Sequence, residues 1–286
     1  MALKESLGLA LKEIFVKNGL RPAIFVEFIV DIALDLALET HPVQCRNSPK
    51  DECVVRNSRE EKHLDKYDLS KKAYVLVLHH HKFDDSTHNR AGSEKDMEKI
   101  ERFFRAYRVD PLNVCANETA EEVRYIMDNI AHKDFSDNSC LIIIIMSHGL
   151  ANDQIMARDG KTYCFEGDIV EKCTSNRTLD GKPKLFIVQA CRGGSVWATD
   201  SINIQSNKND VLIFQSTYKG FVALRNPQEG TFFMQHFFRL LDEHRDKDIF
   251  GIIKLLNGFF ESSALPQNPT MTTTLRKDLI FDDLRL

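Results

Sequence analysis

The sequence predicts an α/β fold in which a central, mostly parallel sheet carries helices on both faces. LIIIIM (141–146) and LFIV (185–188) are continuous apolar runs without polar alternation, which is typical of strands buried on both faces. The interval between the two runs is long enough for a right-handed crossover connection, so these strands are expected to be parallel. Amphipathic helical segments alternate with the apolar runs, and this alternation indicates the α/β class.

The first predicted elements fit this class. AYVLVL (73–78) is a short apolar strand, and apolar residues then recur at helical spacing from Glu94 to Tyr107. Ser93 and Asp96 have the spacing of a capping box at the start of that helix.

A second helix is predicted to begin at Thr119, which has the capping-box partner Glu122. After the strand at 185–188, the stretch from Arg192 to Asp210 is too polar for the core and is predicted to be a long exposed loop. The remaining predicted elements are a strand at 211–214, helices around Phe232 to Leu241 and Ile249 to Phe260, and a last strand at 273–281.

The first 72 residues differ in composition from the rest. Residues 1–42 are predicted to form a helical segment, and residues 43–72 lose apolar periodicity and are predicted to be a linker. The most apolar stretch, 23–38, carries acidic residues at four-residue spacing that would line one helix face: Glu27, Asp31 and Asp35. We therefore expect an amphipathic helix there and no membrane span. Its acidic face is either a solvated surface or a docking site for a partner.

The charge balance and the cysteine pattern exclude several function classes. The chain has 38 basic and 42 acidic side chains and a formal net charge of −4, so neither nucleic acid nor an anionic membrane is an expected partner. The seven cysteines are odd in number and scattered, without metal-ligand spacing. We expect free thiols, a reducing cytoplasmic location, and no metal or other cofactor.

Two predicted strands end on reactive residues, His148 with Gly149 and Gln189 with Cys191. Open α/β sheets place their sites beyond the carboxyl ends of strands, so His148 and Cys191 are expected to share one crevice if the strands are neighbours. An imidazole can take the proton of a thiol and later protonate a leaving amine. The backbone N–H groups of Gly149 and Cys191 would then form an oxyanion hole.

Each of these residues alone has a simpler interpretation. A cysteine after a strand is usually a small core residue, and a single histidine is usually structural; we apply that interpretation to the other six cysteines. For His148 and Cys191 together, the structural interpretation is less convincing. QACRG (189–193) is the signature pentapeptide of caspases, whose histidine lies about 50 residues upstream. Here the histidine lies 43 residues upstream of the cysteine.

The chain resembles the caspases, which are cysteine endopeptidases that cut after aspartate. The resemblance runs from about Ala73 to Phe281 and rests on motifs in the family's order, which are RAGS (90–93), SHG (147–149), GKPKLF (181–186), QACRG, LRNPQEGTFF (224–233) and Gln267 with Pro269. Such a collinear set is far more specific than any single motif. Residues 1–60 show no such resemblance.

The resemblance implies a caspase-like three-layer sandwich and an aspartate pocket built from Arg90, Gln189 and Arg225. Guanidinium groups suit a buried carboxylate because they offer paired, directional donors. Taken singly, each arginine could be a solvated surface charge and Gln189 an ordinary strand-end amide. The resemblance further implies protein substrates with exposed aspartates, a homodimer or a heterodimer with another caspase, inhibitor or adaptor proteins, and a role in programmed cell death or immune signalling.

Caspases are made as zymogens, so this chain is expected to carry its own cut sites. Asp200 and Asp210 are candidates in the polar loop, and Asp65 and Asp68 could release the N-terminal segment. Cutting in the loop would divide a large region (73–200) from a small region (211–286), with 201–210 as the remainder of the linker.

Some positions depart from the family pattern. Ala223 and Leu224 replace the usual serine and tryptophan before the pocket arginine, Lys219 replaces a proline, and Gln215 replaces a tyrosine. These changes favour an alternative in which the chain is a regulatory dimer partner with weak or dispensable catalysis. A third interpretation, an unrelated Cys and His hydrolase, would leave Arg90 and Arg225 unexplained.

Overall fold

The computed structural model describes residues 65–193, 206–221, 223–263 and 265–286, so the predicted helical segment at 1–42 lies outside the described residues. The strands are β1 (Lys72–His79), β2 (Asn113–Ala116), β3 (Asn138–Met146), β4 (Gln154–Met156), β5 (Thr162–Cys164), β6 (Lys184–Gln189), β7 (Val211–Gln215), β8 (Arg225–Asn226), β9 (Gly230–Thr231) and β10 (Thr270–Thr273). The helices are α1 (Ser93–Phe104), α2 (Ala120–His132), α3 (Glu171–Thr174), which continues a π-helical turn at Phe165–Val170, α4 (Phe232–Glu243) and α5 (Ile249–Ser262).

Six strands form the central sheet, in the order β10-β7-β6-β3-β1-β2. Strands β2, β1, β3, β6 and β7 run parallel, and only β10 pairs antiparallel, with β7. The predicted α/β class with a mostly parallel sheet is therefore confirmed. The smaller hairpins β4-β5 and β8-β9 lie outside this sheet.

Helices cover both faces of the sheet, as the unbroken apolar strands predict. In β3, Ile142 and Ile144 pack in a core with α1, α4 and α5, whereas Ile143 and Ile145 pack in a second core with α2 and the 165–174 segment. Successive side chains of a strand point to opposite faces, so a strand buried on both sides needs apolar residues at every position. Every residue of β3 is buried.

The two predicted capping boxes have different outcomes. At α2, Thr119 accepts from the backbone N–H of Glu122 and the Glu122 carboxylate accepts in return, so this box is confirmed. At α1 the prediction is wrong, because the N-cap is Gly92 with φ of +85° and no side chain caps the helix. The Asp96 carboxylate instead accepts from the backbone N–H of Thr231, 135 residues away in sequence. The carboxylate that the local spacing assigned to the helix cap therefore binds a residue distant in sequence.

The last strand also differs from the prediction. The edge strand is Thr270–Thr273, and 274–281 is not a strand. Leu279 and Phe281 are buried in the core, which explains the apolar pattern that suggested a strand there. This segment pairs instead with the start of the described chain, where the backbone N–H of Tyr67 donates to the carbonyl of Asp278 at 3.0 Å.

Candidate active site

His148 and Cys191 follow two adjacent strands of the sheet. β3 and β6 are parallel neighbours in which Met146 lies opposite Gln189, and the N–H of Ser147 donates to the carbonyl of Gln189 at 3.1 Å. Both reactive residues therefore leave the sheet at the same edge, beyond the carboxyl ends of its strands.

Gly149 brings the backbones of the two segments into contact. A Cβ at this position would lie 1.8 Å from the carbonyl oxygen of Cys191, so only glycine fits. From the sequence, this glycine is expected to supply a backbone N–H to an oxyanion hole. The structure adds a packing reason, because any side chain here would push the histidine segment away from the cysteine segment.

The imidazole of His148 is oriented by a backbone carbonyl. Its Nε2 lies 2.7 Å from the carbonyl oxygen of His88, which can only accept, so Nε2 carries the proton and Nδ1 remains basic. Burial lowers the pKa of His148, and the charges of Arg90 and Arg225 lower it further. The ring is therefore neutral near pH 7, the state that a general base requires.

His88 was not identified from the sequence. It contributes through its main chain, which any residue type would supply, so no side-chain pattern could reveal it. Its position two residues before Arg90 places the orienting carbonyl and a pocket arginine in one short loop.

The thiol of Cys191 is partly buried and is not in a disulfide. The backbone N–H of Ala223 donates to its Sγ at 3.4 Å. A weak donor at this position would stabilise a thiolate more than a thiol. The segment that leads into Arg225 therefore touches the candidate nucleophile directly.

Arg90 is a buried cation with fixed hydrogen bonds. It is only 2% exposed, and its Nη1 donates to the carbonyl of His80 at 2.9 Å and to Oγ of Ser93 at 3.1 Å. Burial and the nearby charge of Arg225 lower the pKa of Arg90 to about 10, so it stays protonated at neutral pH.

Arg225 and Gln189 complete the predicted pocket. Burial lowers the pKa of the half-buried Arg225, whereas a negative charge on Cys191 would raise the pKa values of both arginines. Gln189 is 2% exposed, and its Oε1 is buried without a hydrogen-bond partner. Both arginines therefore interact electrostatically with Cys191, and Gln189 lies two residues before it at the end of β6.

The two sides of the pocket are joined through Asp96 and two glycines. Oδ1 of Asp96 accepts from the N–H of Thr231 and from Nε2 of Gln235, each at 2.9 Å. A Cβ on Gly230 would lie 2.4 Å from that oxygen, and a Cβ on Gly92 would lie 2.6 Å from the carbonyl of Pro227. The start of α1, which follows Arg90, is therefore docked against the hairpin that carries Arg225.

Three consecutive histidines surround Arg90 without adding charge. Nε2 of His79 lies 2.9 Å from Oγ of Ser93, and Nε2 of His80 lies 3.2 Å from the hydroxyl of Tyr163. Burial lowers the pKa of His79 to about 3 and that of His80 to about 4, with a contribution from Arg90 in each case. Both rings are neutral at physiological pH and serve as polar packing around the guanidinium.

The predicted cut sites lie in different environments. Asp65 and Asp68 are exposed, and Asp200 lies outside the described residues. Asp210 is only 1% exposed and has a φ of +57°. Its carboxylate accepts from Arg276 at 2.6 Å and from the hydroxyl of Tyr67 at 2.7 Å.

Asp210 is therefore unsuited to be a cut site, contrary to the sequence-based expectation. Burial raises the pKa of Asp210, but the bonds from Arg276 and Tyr67 outweigh it and the net pKa is lowered. A protease must draw an aspartate into its own pocket, and this one is held inside the fold as an ion. Asp210 immediately precedes β7, and its carbonyl accepts from the N–H of Lys184 in β6 at 2.8 Å.

Among the residues that the structure describes, no group of three or more histidine, cysteine, aspartate or glutamate side chains is arranged to hold a metal ion. No helix in the same ranges is both long enough and apolar enough to cross a membrane.

Comparison with known proteins gives a consistent result. The family model for the caspase domain matches residues 72–280. The chain is 30% identical over 241 residues to caspase-7 of Gallus gallus, covering 72% of this chain and 76% of that protein. It is also 30% identical over 247 residues to caspase-3 of Mesocricetus auratus, covering 76% and 86% respectively.

A solved structure supports the same assignment. The crystal structure of caspase-1 from Spodoptera frugiperda superimposes with a TM-score of 0.65 at 25% identity, covering 83% of this chain and 97% of that one. The shared domain, the matching fold and the assembled Cys, His and Arg residues agree with one another. This chain belongs to the caspase family.

Proposed function

We propose that the chain is a cysteine endopeptidase that cleaves proteins after aspartate. The observation that carries the proposal is the convergence of two guanidinium groups, Arg90 and Arg225, on the thiol of Cys191. Two buried or half-buried cations next to a nucleophile need an anionic ligand, and the carboxylate of a substrate aspartate would supply it. Gln189 ends β6 two residues before Cys191, and its amide NH2 is the group that would donate to the same carboxylate.

The proposed reaction proceeds by acyl transfer. Nδ1 of His148 takes the proton of Cys191, and the thiolate adds to the backbone carbonyl carbon of the substrate aspartate. The N–H groups of Gly149 and Cys191 stabilise the resulting oxyanion. The imidazolium then protonates the departing amine as the C–N bond breaks, leaving a thioester. A water molecule, deprotonated by His148, hydrolyses that thioester and regenerates the thiol.

Maturation is proposed to occur by cleavage after Asp200 in the polar loop, with Asp65 or Asp68 as sites for removing the N-terminal segment. Loops with exposed polar residues are preferred sites of cleavage. Asp210 is not proposed as a site because it is buried and ion-paired. Caspases act on proteins and commonly dimerise, so we propose a cytoplasmic dimer as the working form.

A second function is favoured by one observation in the substrate groove. Leu224 stands where caspases usually have tryptophan, and its N–H donates to Oε1 of Gln267 at 2.8 Å. A smaller side chain there reduces the apolar surface offered to a peptide. In that alternative the chain is mainly a regulatory partner of another caspase, and its own turnover is weak.

The test compares wild type with Cys191→Ala, using intact mass and a panel of peptides that end in Asp, Glu or Asn. The proposal expects cysteine-dependent hydrolysis of the Asp peptides together with self-cleavage after Asp200. If folded wild type, concentrated and already cut in the loop, hydrolyses none of the peptides, the proposal is wrong. The regulatory alternative would then be examined by co-expression with an active caspase.

A further inference from the structure

The loop directly after Gly149 has an unfavourable backbone conformation. Asn152 has a φ of +58° and Asp153 a φ of +54°, so two successive residues with side chains adopt the left-handed region. Such residues cost free energy, and they persist when the surrounding structure holds them in place. Part of that support comes from Arg192, the residue next to the candidate nucleophile.

Arg192 binds the end of this loop through a two-point ion pair. Its Nε donates to Oδ1 of Asp153 at 2.9 Å, and its Nη2 donates to Oδ2 at 3.2 Å. Two parallel hydrogen bonds between a guanidinium and a carboxylate fix orientation as well as distance. A single charge attraction would leave the loop free to rotate.

Both ends of the pair are joined to the reacting groups by short lengths of backbone. Arg192 follows Cys191 directly, and its own N–H donates to the carbonyl of Phe221 at 3.2 Å. On the other side, the N–H of Leu150 donates to the carbonyl of Gln154 at 2.8 Å. Gly149, the proposed oxyanion donor, immediately precedes Leu150 in this closed loop.

A second contact lies beside the ion pair. A Cβ on Gly193 would lie 3.0 Å from the backbone nitrogen of Ala151, so the chain after the cysteine lies directly against the loop. Besides the packing of Gly149 against Cys191, the two loops therefore touch at two further places, and Asp153 supplies the polar one.

We propose that Asp153 is a positioning residue, whose pairing with Arg192 sets the alignment of the Gly149 and Cys191 N–H groups. This inference rests on the proposed peptidase function and identifies a residue that acts through another on the same site. The Asp153 side chain is 38% exposed and that of Arg192 is 19% exposed, so the pair contributes little to global stability. Its effect is expected in turnover, because displacements of about 1 Å at a reacting centre cost up to about 100-fold in rate.

The test uses the full chain with the substitutions Asp153→Asn and Arg192→Lys, which remove the two-point pairing with little change in size. Each is expected to lower kcat about tenfold while KM changes less than about twofold and the Tm stays within about 2 °C. The double variant should be no worse than the worse single variant, because both remove the same interaction. Asp128→Asn is the matched control, since it removes an ion pair on α2 to Lys172.

Asp153→Gly separates the ion pair from the strained backbone. Glycine accepts the positive φ without cost but has no carboxylate, so kcat should fall as it does in Asp153→Asn. If Asp153→Gly keeps wild-type kcat, or if all variants lose kcat only in proportion to a lower Tm, the inference is overturned.

Hydrogen exchange tests the alignment without reference to catalysis. The amides of Leu150 and Arg192 should exchange about tenfold faster in Asp153→Asn than in wild type and Asp128→Asn. If the wild-type protein has no peptidase activity but Asp153→Asn still exchanges faster, the proposed function fails while the alignment role holds. If the wild-type enzyme is active and Asp153→Asn changes neither the exchange rates nor kcat, the inference is contradicted.

Discussion

The two arginines of the proposed aspartate pocket are held in different ways. Arg90 is 2% exposed and its guanidinium donates to a backbone carbonyl and a serine hydroxyl. Arg225 is only half-buried, and within the described residues its guanidinium has no hydrogen bond. Arg90 is thus part of the core, whereas Arg225 has free N–H donors for a ligand.

The difference follows from the elements that carry them. Arg90 lies between the end of β1 and the start of α1, both of which are parts of the main cores. Arg225 lies on a hairpin of two-residue strands, which is too short to be stable alone and depends on its docking to Asp96. We therefore expect Arg90 to define the proposed pocket and Arg225 to donate its free N–H groups to the substrate carboxylate.

The largest expected effect comes from substituting each arginine by lysine. Arg90→Lys should lower kcat/KM by about 1,000-fold and also lower the Tm by several degrees, because a buried forked donor is lost. Arg225→Lys should lower kcat/KM by about 100-fold with the Tm unchanged, since Arg225 is less buried and its guanidinium donates no hydrogen bond within the described residues. Steady-state kinetics and thermal melts measure both; equal Tm losses would break the comparison.

The next effect concerns the docking of the Arg225 hairpin. Asp96→Ala removes the acceptor for Thr231 and Gln235, so KM for an aspartate peptide should rise about tenfold while kcat falls less. Asp96→Asn keeps an acceptor oxygen and should stay within about threefold of wild type. If both substitutions lower kcat as strongly as they raise KM, Asp96 does more than hold the hairpin. Peptide kinetics with parallel melts provide the measurement.

A smaller effect is expected in the pH profile. Burial and then the arginines lower the pKa of His148 below its usual 6.5, so the basic form persists below that pH and the acidic limb of kcat/KM should lie there. Arg225→Gln removes one positive charge, so the pKa should rise and the limb should move toward 6.5. A limb that does not move, or that moves to lower pH, would contradict the assignment of His148 as the base.

The smallest effect is on acid stability. The pKa of His79 is lowered from 6.5 to about 3 in the folded state, mainly by burial. The unfolded chain therefore takes up a proton first, and folding stability falls as the pH drops from 6.5 toward 3. At pH 5 this costs at most about 2 kcal/mol. In His79→Asn, which can still bond to Ser93, the Tm should fall less between pH 7 and pH 5 than in wild type.

The part of the fold that could be predicted from sequence is the part with strong periodicity. β1, β3, β6 and β7 each contain an unbroken apolar run, the pattern that burial on both faces of a strand favours. β8 and β9 have two residues each and carry no periodic signal, so they were missed. Their existence depends on Asp96 and Gly230, which are far apart in sequence.

In the candidate site, too, only features with a side-chain pattern could be predicted from the sequence. Cys191, His148 and the three pocket residues were found because their side chains form recognisable motifs. The carbonyl of His88 and the bond from Ala223 to the thiol are main-chain interactions, which residue identity does not encode. Asp210 was misjudged because its partners, Tyr67 and Arg276, lie at the two ends of the described chain.

The most direct test of the pocket is a comparison of two peptides that differ only in ending with Asp or Asn. The side chains have the same shape, so only the interaction of the carboxylate with Arg90 and Arg225 distinguishes them. We predict that wild type prefers Asp by about 1,000-fold or more in kcat/KM, and that Arg225→Gln reduces this preference at least tenfold. Equal rates for the two peptides in wild type would contradict the proposed carboxylate pocket.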